Sequence, residues 1–295
     1  MKKKYIDLHI HTNKSDGFYS PSGVIKLAKN NDTSLISICD HDSIDSLSEI
    51  KSELLSTMKA VNGVEFSTYL YLGDKRIKLH LLGYGFDENS QNLLFMLNEL
   101  KQKRINAHLK VLEITEQMLK KLPEKSLINI DMERYCWFDQ DVVKCMEIDN
   151  FSEDEIKRVE GYFKQNRFTY GSDYEINIRQ AIDGIKLCGG FAVLAHPMAY
   201  DLSNEEVAMI IQKLTDFGLD GIEAYQSDCK IVDTMFLKDL ACKYNLLWSV
   251  GSDFHRIIDS DGRMIGRGIN NNLCVTETTL SRKILEKKLY FIGKK

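Results

Sequence analysis

Six of the seven histidines in this 295-residue chain fall on, or directly after, short apolar runs of the kind that form β-strands. His9 and His11 bracket Ile10 at the end of a run over 5–9. His41 stands in Asp40-His41-Asp42, after the apolar run 35–39. His80 lies within 78–83 and His196 follows 191–195. His255 closes Gly251-Ser252-Asp253-Phe254-His255, after 246–250. Only His108 sits in a plain helical pattern. Residues this far apart in sequence share a location only where strand ends converge, so the pattern restricts the fold. Alternate side chains of a strand face the same way. His9 and His11 therefore point to one side, as do Asp253 and His255.

Helical patterns separate the strands. The first begins at Ser20 or Ser22 as cap, and others run over 44–58, 176–187, 204–217 and 231–244, with further strands predicted at 60–66 and 221–224. Short parallel-type strands alternating with helices predict an α/β fold. Six or seven such units predict an irregular barrel of the TIM type. A doubly wound open sheet is the competing arrangement, but no G-x-G-x-x-G or Walker sequence supports its nucleotide crevice. Residues 92–174 break the alternation with a helical pattern over 93–122, closed by Pro123, and then mostly polar sequence. They read as a helical insertion that caps the substrate, leaving 1–91 and 175–295 as the barrel.

Charge narrows the partners. Lys and Arg number 39 against 43 Asp and Glu, a net charge of −4, which argues against a broad footprint for long nucleic acid but leaves room for a local basic pocket. No apolar run reaches membrane-spanning length. The basic start is interrupted by Asp7, His9 and His11, so no signal peptide is expected. Seven scattered cysteines without a C-x-x-C pair predict a reducing cytoplasm and no disulfide framework.

In an α/β barrel the C-terminal strand ends share one mouth. Asp16 follows the first strand and Glu65 lies near the end of the third. The convergent set is then His9, His11, Asp16, His41, Glu65, His80, His196, Asp253 and His255. Each has a plain structural reading when taken alone: a buried hydrogen-bonded histidine, a capping acid in Asp40-His41-Asp42, a turn in Gly251–His255. For His80 and Asp16 singly that reading is the better one. Together, six imidazoles and three carboxylates exceed what one ion uses and indicate two or three divalent ions. Mixed N/O ligation without thiolate suits Mn, Fe or Zn. A closed structural zinc site needs only four ligands and usually includes cysteine.

The segments Asp7-Leu8-His9-Ile10-His11, Ser15-Asp16-Gly17, Cys39-Asp40-His41-Asp42, Gly63-Val64-Glu65-Phe66-Ser67, His80-Leu81-Leu82-Gly83-Tyr84, Ala195-His196-Pro197 and Gly251–His255 span nearly the whole chain. In this order they resemble the polymerase and histidinol phosphatase (PHP) family. The resemblance implies a distorted (β/α)₇ barrel with a trinuclear metal centre. His9, His11, Glu65 and Asp253 would hold the first ion. Glu65, bridging, with His80 and His196 would hold the second, and Asp16, His41 and His255 the third. His196 and Asp253 are the implied catalytic residues. The insertion and the phrase from Ile185 to Pro197 are most similar to the branch acting on 3′,5′-bisphosphonucleosides and short oligonucleotides. The insertion departs from that branch. Where an arginine-bearing segment is usual, Trp137 to Lys144 supplies only Lys144, with Asp139 and Asp141 opposing a phosphate.

The reaction expected is hydrolysis of a phosphomonoester of a small nucleotide by a hydroxide bridging two ions. The alternatives are a 5′–3′ exonuclease or phosphodiesterase on short oligonucleotides, a histidinol-phosphate phosphatase, and a metal-binding accessory module without turnover. Arg134, Lys144, Arg256, Arg263 and Arg267 are candidates for holding phosphate, each of which alone also reads as a solvated cation. Tyr135, Trp137 and Phe138 could stack a base or form a small core of the insertion. Asp40 and Asp42 are expected to support the ligands or cap a helix.

Overall fold

The computed structural model describes residues 4–54, 56–119, 152–158, 160–161, 174–257 and 262–293, with backbone alone over 108–119. The chain divides into two compact units, Met1–Met96 with Ile176–Lys295, and Leu97–Glu175.

The first unit is built from the apolar runs. Its strands are β1 (Tyr5–Ile10), β2 (Thr33–Ile38), β3 (Lys59–Leu72), β4 (Lys75–Tyr84), β5 (Ile176–Asn177), β6 (Phe191–Leu194), β7 (Gly221–Gln226), β8 (Leu247–Gly251) and β9 (Phe291–Ile292). Seven follow one hydrogen-bonded path, β1-β2-β3-β4-β6-β7-β8, while the two-residue strands β5 and β9 pair with β3. The path nearly closes on itself. Asp253 N donates to His9 O, and His11 N donates to Phe254 O, both at 2.9 Å. These bonds set a parallel bridge between Ile10 and Phe254. The result is the irregular seven-stranded α/β barrel that the sequence predicts.

One strand departs from the prediction. β4 runs antiparallel to both β3 and β6. The short strands expected at 60–66 and 78–83 belong to a hairpin with arms of 14 and 10 residues. Gly73-Asp74 forms its two-residue turn, and Gly73 takes the left-handed φ of +61° that such turns favour. His80 consequently enters from a strand running the opposite way, opposite Ser67.

The helices are α1 (Pro21–Asn30), α2 (Leu47–Glu53), α3 (Gln91–Leu119), α4 (Ile178–Leu187), α5 (Asn204–Asp216), α6 (Ile231–Lys243) and α7 (Thr279–Glu286). Ser20 caps α1 by accepting from Gly23 N at 3.2 Å, with Pro21 in the first turn, where a missing N–H costs nothing. The helix expected over 44–58 is confined to α2. Ahead of it, the Ser43 hydroxyl accepts from Asp45 N at 3.1 Å, a local bond that competes with helical ones. Leu8, Cys39, Val61, Leu82, Tyr84, Val193, Ala195 and Val250 pack in one buried cluster. Each fully buried Val or Leu contributes roughly 1.5–3 kcal/mol. The Tyr84 hydroxyl avoids a desolvation penalty by donating to Leu8 O at 2.8 Å.

In the second unit Arg104 lies 4.5 Å above the Tyr174 ring, and Ser152 and Glu155 cap a short turn reciprocally. Arg134, Tyr135, Trp137, Phe138 and Lys144 lie outside the described residues, as does the His108 side chain. Among the described residues no helix is long and apolar enough to cross a membrane.

Candidate metal centre

The strand ends bring the nine expected side chains to one place. Glu65, from β3, is 1% exposed and sits at the middle. Its Oε1 is 3.0 Å from His80 Nδ1 and 3.0 Å from His196 Nε2. Its Oε2 is 3.2 Å from His9 Nε2, 3.1 Å from His11 Nε2 and 3.2 Å from His41 Nδ1. Five imidazoles from four strands or strand ends therefore face one carboxylate. Asp253 Oδ1 lies 3.5 Å from His9 Nε2 and 3.2 Å from His11 Nε2. On the far side of His11, Asp16 approaches His11 Nδ1 at 3.4 Å, His255 Nε2 at 3.1 Å and His41 Nε2 at 3.7 Å.

Three groups of donors could each hold an ion: His9, His11, Glu65 and Asp253; His11, Asp16, His41 and His255; and His41, Glu65 and His80. His196 joins through Glu65 Oε1. His11 and His41 each face two groups. A neutral imidazole offers one lone pair, so each can serve only one ion at a time.

The residues fit divalent cations. Two donors each about 2.1 Å from one ion, at angles of about 90–110°, stand roughly 3.0–3.4 Å apart. The separations around Glu65 match that spacing. His9 Nε2 and His11 Nε2 face each other at 3.1 Å. Glu65 Oε2 is buried and makes no hydrogen bond despite its three nitrogen neighbours, and His11 Nδ1, 3.4 Å from Asp16 Oδ1, is likewise buried without one. Lone pairs aimed at a common point and left without hydrogen bonds are what a cation would satisfy.

The electrostatics agree. Burial pulls the His9 imidazole toward its neutral form, but Glu65, Glu223 and Asp253 outweigh burial and hold its pKa well above the ordinary value. His11 is likewise opposed by burial, yet Asp16, Asp253 and Glu65 push it up to about 10. Burial alone would raise Glu65, and the surrounding imidazoles hold it well below the carboxylate range. His41 goes the other way, because burial dominates and His11 and His80 add to it.

A second layer fixes the ligands. Glu223, from β7, is fully buried. Its Oε1 accepts from His9 Nδ1 at 3.1 Å and its Oε2 accepts from His196 N at 2.8 Å. The bond to Nδ1 turns the Nε2 lone pair of His9 toward the cluster. Sequence reading missed Glu223. The only signal was an acid in the otherwise apolar and aromatic run Gly221-Ile222-Glu223-Ala224-Tyr225. Asp40 accepts from Thr12 N at 2.8 Å and Ser15 Oγ at 2.8 Å, shaping the loop that carries Asp16. Asp42 accepts from Ser67 N at 2.8 Å. Burial raises Asp7 to about 6, while it accepts from Ser252 N at 2.9 Å and Gly266 N at 2.7 Å. Gly251 makes room for the cluster, since a Cβ there would lie 2.2 Å from both Glu223 Oε1 and His9 Cβ. Asp253 and His196 hold left-handed backbone, with φ of +53° and +27°, a strain common at functional sites.

The arginines have separate fates. Arg256 is exposed beside His255. Arg263 is bonded to the loop that carries Asp253. Arg267 lies with Asp32 at 3.4 Å and over the Tyr5 ring at 5.1 Å, at the opening residues of β1 and β2 and at the other end of those strands from the ligands.

No family model matches the chain. It is 28% identical over 264 residues to a 5′-3′ exoribonuclease of Haemophilus influenzae, covering 86% of this chain and 91% of the relative. It is 26% identical over 258 residues to a 3′,5′-nucleoside bisphosphate phosphatase of Chromobacterium violaceum, covering 85% and 87%. A solved structure of an amidohydrolase from Chromobacterium violaceum superposes with a TM-score of 0.72 over 98% of both chains, at 21% identity, and shows the same fold. Fold, motif order and donor cluster thus meet in relatives named for different reactions at phosphate esters, and together they support a metal-dependent phosphoesterase of the PHP type.

Proposed function

We propose that this enzyme hydrolyses a phosphomonoester of a small nucleotide, such as a 3′,5′-bisphosphonucleoside. The observation that carries the reading is the Glu65 carboxylate facing five imidazoles at 3.0–3.2 Å. His9, His11, Glu65 and Asp253 would hold one divalent ion, Glu65, His80 and His196 a second, and Asp16, His41 and His255 a third. Manganese is the ion proposed, with iron and zinc suited by the same donors. Such ions lower the pKa of water from 15.7 toward about 7 and neutralise phosphoryl oxygens.

The chain's own residues prepare that chemistry. Glu223 orients His9 and braces the His196 backbone. His196 and Asp253, as catalytic residues, present their side chains from strained backbone at the strand ends. Arg256, exposed beside His255, is proposed to meet a substrate phosphate. Residues 92–174 are proposed to cap the substrate, with Arg134 and Lys144 adding positive charge. The described cysteines are free thiols, which suits the cytoplasm proposed for the enzyme.

A second reading, 5′–3′ cleavage of short oligonucleotides, is favoured by the exoribonuclease of Haemophilus influenzae among the relatives. The test is phosphate release by Mn²⁺-reconstituted protein from four substrates: a 3′,5′-bisphosphonucleoside, a 5′-phosphorylated short oligonucleotide, histidinol phosphate and an aryl phosphate. His9→Ala serves as control. Release from the bisphosphonucleoside that the variant loses supports the proposal. Mononucleotides released from the oligonucleotide, with the bisphosphonucleoside untouched, favour the second reading. No release above the variant by metal-loaded protein overturns both.

A further inference from the structure

Arg263 follows the ligand-bearing loop by ten residues, and its side chain turns back onto that loop. Its Nη1 donates to Ser252 O at 2.9 Å and to Asp253 O at 3.4 Å. Its Nη2 donates to both carboxylate oxygens of Asp228, at 3.1 and 3.0 Å. The Arg263 side chain is 15% exposed. Around it the loops after β7 and β8 are joined. Ser227 Oγ donates to Ser252 O at 2.8 Å, and Gln226 Nε2 donates to Asp228 Oδ2 at 3.0 Å.

The carbonyl of Asp253 has a second partner. It lies 3.0 Å from His255 Nδ1. A carbonyl only accepts, so Nδ1 carries the proton in that bond. With the Nδ1 proton held there, a neutral His255 ring would offer a cation its lone pair at Nε2, the nitrogen that faces Asp16 Oδ2 at 3.1 Å. One peptide carbonyl thus orients the His255 ring, and the residue that owns it, Asp253, keeps its left-handed φ of +53°. Arg263 touches that carbonyl and the one before it.

We propose that Arg263 is a positioning residue for the metal centre. By clamping the Ser252 and Asp253 carbonyls it presents the Asp253 carboxylate to one donor group and the His255 Nε2 to another. Asp228 holds the guanidinium in place from the loop after β7. The arginine does not bind substrate phosphate. Its planar fork reaches two carbonyls and a carboxylate at once, which a lysine ammonium cannot reproduce in full. The inference rests on the metal-centre reading but not on which phosphoester is cleaved.

The experiment is Mn²⁺ titration of metal-free protein, followed by the electron paramagnetic resonance of free Mn²⁺, for wild type, Arg263→Ala, Arg263→Lys and Asp228→Asn. Melting of each metal-free protein and KM on the best phosphoester are measured in parallel. Arg263→Ala is expected to weaken Mn²⁺ binding about 10–100-fold, the usual effect of losing a group that orients ligands. Arg263→Lys should recover part of the loss, Asp228→Asn should weaken binding less than the alanine variant, and KM should stay within about threefold. Unchanged Mn²⁺ affinity in Arg263→Ala overturns the proposal, and a raised KM with it returns the arginine to a substrate role. If the alanine variant does not fold, Mn²⁺ affinity at the wild-type level in both Arg263→Lys and Asp228→Asn overturns it equally. Folded wild-type protein that takes up no Mn²⁺ overturns the metal-centre reading itself, an outcome distinct from the first.

Discussion

At the scale of single residues, Glu223 and His11 carry the sharpest expectations. Glu223 touches no substrate, yet it sets which nitrogen of His9 faces the cluster. Glu223→Gln keeps the size and removes the charge. It should lower Mn²⁺ affinity or turnover about 10–100-fold, checked by the same titration and by kcat on the phosphoester panel. His11 sets a pH dependence. In metal-free protein its pKa stands near 10 because burial is outweighed by Asp16, Asp253 and Glu65. A raised imidazole pKa contributes stability that is complete below its ordinary value of 6.5 and is lost as pH rises through about 10. A cation competes with that same proton, so its hold strengthens with pH. The melting-temperature gain on adding Mn²⁺ should therefore widen between pH 6 and pH 9. A gain that shrinks over that range would contradict protonated His11 as the state the metal displaces.

At the scale of elements, the strands and their turns decide what was legible in the sequence. The histidine segments could be read because each couples a short apolar run to a polar ligand at its end, a pairing that a single sequence displays. The hairpin was harder. Ser67 to Leu72 continues β3 with the strand formers Thr68, Tyr69 and Tyr71, and the Gly73-Asp74 turn was present as a signal. Against that signal stands the surrounding alternation of strand and helix, which favours a crossover between parallel strands. Glu223 was harder still, since its role exists only once barrel closure brings the β7 side chain to His9 of β1 and to the His196 backbone after β6. Gly251 belongs to the same class. Gly251→Ala would drive a Cβ to 2.2 Å from His9 Cβ and Glu223 Oε1. Overpacking of this kind costs about 1–3 kcal/mol or more. The variant should lose stability in urea titration and lose tight Mn²⁺ binding together. As a contrast, Ser203 caps α5 reciprocally with Glu206, away from the ligands. Ser203→Ala should cost about 1 kcal/mol in the same urea titration and leave kcat unchanged.

At the scale of the molecule, the candidate metal donors span the barrel. They come from β1, β3, β4 and the loops after β1, β2, β6 and β8, so an ion bound among them links nearly the whole strand path. An ion at 100 times its Kd adds about 2.7 kcal/mol to the folded state. For a domain of this size that is roughly 5–10 °C of melting temperature. Chelation of loaded protein should lower the melting temperature by that amount, and restored Mn²⁺ should bring it back. No shift on chelation would mean that the donors hold no ion in solution.

Barrel closure carries a consequence for the newborn chain. The bond between Ser252 N and Asp7 Oδ1 joins residues 245 apart in sequence. A ribosome adding about 5–20 residues per second needs roughly 12–50 s to cover that stretch. Throughout that interval His9 and His11 are already made while Asp253 and His255 are not. An ion held by all these donors together would therefore enter after most of the chain has been translated, so that what the surrounding compartment keeps free at closure would join donor geometry in selecting the metal.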